Sequence, residues 1–310
     1  MTLRRTFLGN IAVVFALGAS PMLSMPAGAQ TTSADKIIVS GASGNLGGLT
    51  VKELLARGIP PNRLILVSRT PDALEEYAKQ GASVRFGDFT KPESLAAAYA
   101  GGKRMLLISV GGTQTESASV LLGRAIDAAK AAGVTHIAYT SYVGITRGDV
   151  QGRAADHQQT EDLLRASGVA WTMLRNSIYM DGLLGQAARM IADGRAVIPP
   201  NESTIGYVTR ADCAAAAAAV LTTPGHENKA YDVTGPELLG VRETAATATA
   251  VTGKPIEVVQ GGADTRPGFG RPAMSFTTTH FQELTNRKPT SVRAFFEANE
   301  QALLRPPAAR

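Results

Sequence analysis

The sequence predicts an α/β fold: a doubly wound parallel sheet with a small C-terminal lobe. Three observations carry that expectation. Short apolar, β-branched runs alternate with segments of helical period along most of the chain. A glycine-rich turn joins the first of those runs to the first helix. The 310 residues, 44% hydrophobic and 18% charged, are enough for one sizeable core.

The chain opens on a segment outside that pattern. Residues 1–29 read as an export signal, with Arg4 and Arg5 as the positive end, a short apolar stretch from Ile11 to Leu23, and Ala27-Gly28-Ala29 as a small-residue cleavage site. The apolar stretch is too short for a membrane span. Two arginines followed by Thr6, Phe7 and Leu8 have the form of a twin-arginine signal, which engages the export machinery for folded proteins. The mature protein is therefore expected in the periplasm or outside the cell. An ordinary export signal that begins with two arginines is the alternative. Residues 30–35 form a polar linker.

From Lys36 to about residue 260 the alternation is regular. Lys36–Ser40, Leu64–Ser68, Ser83–Phe86, Met105–Ser109, His136–Thr140 and Ala170–Arg175 are predicted strands. They are apolar with little alternation, as strands buried on both faces are. Leu46–Arg57 is a helix ended by Gly58 and Pro60-Pro61, and Pro71–Gln80 and Pro92–Tyr99 begin with proline, which suits a first helical turn. Glu116–Ala132 and Ala154–Ser167 follow by periodicity. After Asn176 the pattern weakens. Helices are expected at Leu183–Asp193, Ala211–Leu221, Arg242–Thr252 and Ser291–Leu304, with strands at Tyr207–Thr209 and Ala230–Thr234. Parts of the lobe begin near residue 177, residues 261–310 complete it, and the Gly/Pro-rich run Gly261–Pro272 is the candidate mobile loop.

The turn after the first strand carries the chemistry. Gly41, Gly44 and Gly47 fall between the first strand and the first helix, where the glycines of a dinucleotide-binding turn lie. The glycines permit a tight turn, close backbone approach to a diphosphate and close helix packing. Gly41, Ser43, Gly44, Asn45 and Leu46 are the predicted cradle. The second strand ends in Ser68-Arg69-Thr70 where a carboxylate would favour the ribose of NAD. A guanidinium there suits the extra phosphate of NADP, so NADP (NADPH) is the expected cofactor, with NAD possible. Ligands of open parallel sheets sit at the carboxyl ends of the strands. That places Asp88 and Phe89 beside the adenine, Ser109 and Val110 along the cofactor's middle, and Thr140, Ser141 and Tyr142 near the nicotinamide.

The motifs at 41–47, Lys130–Val134 running into Ile137–Ser141, and Leu174-Arg175-Asn176 occur in order with His157–Glu161, Thr209–Asp212 and Gly225–Tyr231. Together they resemble the NmrA-like branch of the atypical short-chain dehydrogenases, nearest its NAD(P)H:quinone oxidoreductase type 2 group. The resemblance spans about Lys36–Val259. It implies hydride transfer from NADPH to a quinone, with Gly41, Gly44, Asn45, Leu46 and Arg69 holding the cofactor. The chain departs from that pattern in its export signal and in a short 261–280 region, which bears on quinone specificity.

Ordinary short-chain dehydrogenases use Ser, Tyr and Lys, the Lys lowering the Tyr pKa for proton transfer. Ser141 supplies the serine, but the helix from Arg153 has no tyrosine and residues 131–228 contain no lysine. The standard carbonyl reduction is disfavoured. A quinone is an easier acceptor, since its conjugation spreads the incoming charge, and positioning over the nicotinamide with polar stabilisation of the developing oxyanion is expected to suffice. Thr140 or Ser141 and Asn176 are expected to orient nicotinamide or substrate, and His157, near the missing lysine's place, to donate a hydrogen bond or proton. A structural role for His157 stands beside that one. Tyr142 and Tyr179 are candidate pocket walls.

The remaining composition excludes more than it suggests. One cysteine, Cys213, and four unclustered histidines give no metal site or disulfide framework. A formal charge of +5 without a basic block gives no nucleic-acid footprint. The expected partners are a small-molecule acceptor, a quinone first, and a second copy in a homodimer. A non-catalytic NADP(H)-binding redox sensor or scaffold is the competing reading. An epimerase-like enzyme is the third, and it would be expected to keep the Tyr and Lys.

Overall fold

The computed structural model describes residues 35–147, 150–261 and 272–305. The expected export signal, the linker up to residue 34 and most of the expected mobile loop lie outside the described residues.

Along the chain, β1 (Lys36–Ser40), α1 (Asn45–Ala56), β2 (Leu64–Ser68), α2 (Glu75–Lys79), β3 (Ser83–Phe86), α3 (Leu95–Tyr99) and β4 (Gly102–Leu107) form the first half. Then come α4 (Ala118–Ala131), β5 (His136–Tyr142), α5 (Arg153–Ala166), β6 (Ala170–Asn176), α6 (Met180–Asp193), β7 (Arg195–Ile198), α7 (Arg210–Thr222) and β8 (Lys229–Val233). The chain closes with α8 (Val241–Thr252), β9 (Glu257–Gln260), α9 (His280–Thr285), α10 (Val292–Ala298) and α11 (Glu300–Leu303).

Seven strands pair in parallel in the order β3-β2-β1-β4-β5-β6-β8. This is the doubly wound order of dinucleotide-binding sheets, with its switch point between β1 and β4. One face packs Ile37, Val39, Leu64 and Leu66 against α1 and α7. The other packs Ile38, Ile65, Met105 and Tyr139 against the layer of α3, α4 and α5. The run Ala214–Ala219 of α7 is fully buried, and its small side chains let α1 and α7 lie close together. Hydroxyl side chains start several helices: Ser117 caps α4, Thr209 caps α7 and Ser291 caps α10.

The lobe differs from the sequence expectation. The predicted strand Tyr207–Thr209 is an extended segment held by one bridge, Tyr179 to Val208. The second sheet is instead β7 paired in parallel with β9, and neither short run was predicted. Residues 261–310 are not all lobe: Phe281 of α9 is buried against the main sheet. The expected helix Ser291–Leu304 is broken at Asn299, whose amide donates to the Phe295 carbonyl at 2.8 Å and whose φ of −123° leaves the helical region.

Candidate functional site

β1 ends at Ser40, and Gly41 turns the chain with φ of +93°, a value open to glycine at little cost. The Gly41 and Ala42 N–H groups both donate to the Val67 carbonyl at 3.0 Å, tying the turn to β2. Gly44 is the N-cap of α1, and no side chain caps that helix. Its first-turn N–H groups are left for a ligand, and the helix dipole favours an anion there. A Cβ on Gly47 would stand 2.2 Å from the Gly41 carbonyl oxygen, so the helix meets the turn at a distance that only glycine allows. The predicted cradle Gly41, Ser43, Gly44, Asn45 and Leu46 is therefore one continuous backbone surface.

At the end of β2 a hydroxyl cluster adjoins that cradle. Ser43 Oγ lies 2.7 Å from Ser68 Oγ, and Ser68 Oγ accepts the Thr70 N–H at 2.8 Å. Arg69 stands exposed between them. An exposed guanidinium on the residue between two of these hydroxyls is a donor suited to a phosphate monoester. Of this cluster, Ser68 and Thr70 were not assigned a role from sequence. Asp88 closes its own turn, accepting from the Thr90 N–H and hydroxyl, both at 2.9 Å. Burial raises the Asp88 carboxyl, but those two bonds with Arg69 and Lys91 hold it below its ordinary value. Phe89 is half-buried against α3 and its neighbours.

The ends of β4, β5 and β6 adjoin the same crevice. Thr140 Oγ1 accepts the Ser109 N–H at 2.8 Å and donates to Ser109 Oγ at 3.2 Å, while Val110 is exposed. Asn176 is 3% exposed, and its Oδ1 has no partner among the described residues. A buried, unsatisfied carbonyl costs on the order of 1–3 kcal/mol. A ligand amide would relieve it, and the carboxamide of a nicotinamide is such a group. The residues present thus fit a dinucleotide at both ends of the crevice.

Strand alternation sends the neighbours of Thr140 to the opposite face, and this alters two expected roles. Ser141 Oγ donates to Glu161 Oε1 of α5 at 2.7 Å, in the interior rather than in the crevice. Glu161 also accepts from Arg175 at 2.8 and 2.7 Å and from Arg165 at 2.6 Å. His157, one turn earlier on α5, has Nδ1 2.8 Å from Tyr139 Oη and its ring stacked on Tyr142, centroids 5.7 Å apart. Its imidazole is thus a back plate to Tyr142. Burial pushes the His157 pKa down to about 4, with Arg153 adding to the effect and Glu161 opposing it.

That depression has a measurable consequence. In the unfolded chain His157 takes a proton near its ordinary 6.5, whereas in the fold it stays neutral to about 4. Between those values the unfolded state binds more protons, so stability present above pH 6.5 falls as the pH drops towards 4. We expect roughly 3 kcal/mol from this group, absent in His157→Phe, read by urea unfolding across the window. An NMR titration showing a cationic His157 at pH 6 contradicts it.

Two cavities flank the crevice. One of about 480 Å³ lies at the carboxyl end of β5, lined by Tyr142, Val143, Arg147, Gln151 and Met274 among others. Another of about 490 Å³ is bounded by Gly44, Asn45, Lys52, Asp181 and Arg210. Arg210 pairs with Asp181 and lies over the Tyr179 ring at 4.7 Å. Cys213 is buried in α7, and burial drives its thiol pKa up, leaving it unreactive.

Comparisons with known proteins agree with this geometry. A family described as NAD(P)H-binding matches residues 41–224. Quinone oxidoreductase 2 of Escherichia coli (strain K12) is 34% identical over 223 residues, 71% of this chain and 76% of that protein. The NAD(P)H azoreductase of Xenophilus azovorans is 32% identical over 226 residues, 72% of this chain and 76% of its own. The crystal structure of the Escherichia coli NADPH-dependent quinone oxidoreductase with NADPH superposes with a TM-score of 0.77 at 28% identity, covering 86% of this chain and 99% of that one. The Citrobacter sp. triphenylmethane reductase complexed with NADP(H) gives 0.76 at 30% identity, with 86% and 99% covered. The chain belongs to the NAD(P)H-binding family, in its NmrA-like, atypical short-chain dehydrogenase branch.

Proposed function

We propose that this protein is an NADPH-dependent oxidoreductase that reduces a quinone or a similar conjugated electrophile. The observation that carries the reading is the uncapped N-terminus of α1, set against a glycine turn and continuous with the Ser43, Ser68 and Thr70 hydroxyls beside Arg69. The relatives named quinone oxidoreductase and azoreductase support the acceptor class. When bound, the cofactor would supply a hydride, two electrons with one proton, to the acceptor, and the reduced acceptor would then take up a second proton.

The protein's own part is binding, orientation and electrostatics. The α1 N-terminus holds the diphosphate and Arg69 the ribose phosphate, while the unpaired Oδ1 of Asn176 takes the carboxamide. Thr140, fixed by Ser109, closes the crevice wall, and Tyr142 presents a flat face to the acceptor. Ser141 and His157 act behind that face, through Glu161 and Tyr142. A His157 held neutral is a poor acid at neutral pH, and no tyrosine–lysine pair stands in its place. A hydroquinone anion needs no protein acid to leave, so the final proton comes from water. The sensor reading predicts bound nucleotide without turnover, and NADPH oxidation with and without a quinone separates the two.

Arg69→Ala is expected to raise the Kd for NADPH by about tenfold to a hundredfold, with little change for NADH, because one charge-assisted phosphate contact is lost. Equal losses for both nucleotides in a fluorescence titration would refute the assignment.

We further propose that the protein is exported through its twin-arginine signal to the periplasm or beyond. The sequence supports this in Arg4-Arg5 and in the Ala27-Gly28-Ala29 site. Replacing Arg4 and Arg5 together by lysine is expected to leave uncleaved precursor in the cytoplasm, read by fractionation and mass spectrometry. Wild-type protein recovered intact from the cytoplasm rejects the proposal. Pairing of two copies belongs to the same reading, and light scattering at monomer mass would reject it.

A further inference from the structure

The cavity at the carboxyl end of β5 has a feature that an uncharged acceptor does not require. Among its described lining residues, Tyr142, Val143, Val150, Ala154 and Met274 are apolar or aromatic, and a single cation, Arg147, stands with them. The Arg147 guanidinium lies 3.9 Å from the centre of the Phe276 ring. Stacking on an aromatic face leaves the edge of the guanidinium, with its N–H fork, available to an anion. It also restricts a side chain that would otherwise lose much rotamer freedom on binding.

The aromatic wall is held as firmly. Tyr142 is stacked on His157 at an interplanar angle of 13°, and His157 is anchored in turn by Tyr139. Among the described acids, Asp232 feels the Arg147 charge, and burial holds its half-buried carboxyl above the ordinary value. A volume of about 480 Å³ is within the range of small-molecule sites and accommodates a fused two-ring acceptor.

We propose that this cavity selects planar aromatic acceptors bearing an anionic substituent, a sulfonate or carboxylate, with the ring against Tyr142 and the anion on Arg147. The proposal rests on the reductase reading and narrows its substrate class. A bidentate contact of this kind distinguishes an anionic acceptor from its neutral parent by more than shape does.

The test compares naphthoquinone with its sulfonate in steady-state NADPH oxidation. The wild-type protein is expected to show a KM for the sulfonate about tenfold below that of the parent, a difference of about 1.4 kcal/mol. Arg147→Ala should raise the sulfonate KM about tenfold more than the parent KM, and Arg147→Lys should fall between. Equal wild-type KM values overturn the proposal, and so does a preference that survives Arg147→Ala. Calorimetry with naphthalenesulfonate, which is not reduced, keeps the two readings apart. If neither quinone is turned over, the reductase reading fails. Sulfonate binding that is then lost in Arg147→Ala still supports the anion site, and no binding overturns it.

Discussion

Gly47→Ala is expected to weaken NADPH binding by about a hundredfold, or roughly 2.7 kcal/mol. The added Cβ would lie 2.2 Å from the Gly41 oxygen, 2.8 Å from Ala42 Cα and 2.9 Å from the Gly41 carbonyl carbon. All three are backbone atoms of the turn that forms the cradle, so no side chain can swing away. Either α1 backs off from the sheet or the turn opens. Both moves displace the first-turn N–H groups from the positions that a diphosphate needs, and overpacking of this kind adds about 1–3 kcal/mol of destabilisation. Gly48→Ala is the matched control. Its Cβ would meet nothing nearer than the Ala42 oxygen at 3.9 Å, so it should bind NADPH and gain about 0.5–1 kcal/mol from helix propensity. Fluorescence titration and thermal melting of the pair decide the matter. Wild-type affinity in Gly47→Ala would show that the turn is not the cradle.

This turn was legible because its physics is local: a strand, three glycines at fixed spacing and a helix suffice to define it. The seven-stranded sheet was legible for a related reason, since β1, β2, β4, β5 and β6 are runs too apolar for solvent on either face. The lobe was not. β7 and β9 are four residues each and pair across a long sequence separation, so neither run carries a signal of its own. Tyr207–Thr209 misleads in the other direction, because it is apolar and extended yet pairs only through Val208. At the site, Thr140 and Ser141 are adjacent in a strand, so only one of them can face the crevice. Sequence gives the alternation but not its phase. The partner that reveals the phase is Glu161, whose position in the stretch His157–Glu161 reads as an ordinary solvated helix residue.

Glu161→Ala is expected to cost about 3–5 kcal/mol of folding stability, the usual result of removing one partner from a buried ion pair. The Glu161 side chain is 1% exposed and that of Arg175 11%, so deleting the carboxylate strands a cation with little access to water. The register explains why both meet here. Ser141 pairs with Arg175 across β5 and β6, and both side chains point at the same face of α5, where Glu161 receives them. Burial raises the Glu161 carboxyl, but Arg175, Ser141 and Arg165 together hold it below its ordinary 4.5. Its contribution is therefore complete above that value and is lost as the pH falls through the folded pKa. Glu161→Gln, which keeps the volume and an acceptor, should lose less than Ala. The double change Glu161→Met with Arg175→Met removes both charges at once and should recover much of the loss, because the single variant's cost is mainly that of an unpaired buried charge. If the double variant is as unstable as the two singles added together, the charges are not coupled and this account fails. Because Ser141 lies between Thr140 and Tyr142, loosening this anchor in Glu161→Gln should appear as a raised acceptor KM ahead of any fall in kcat.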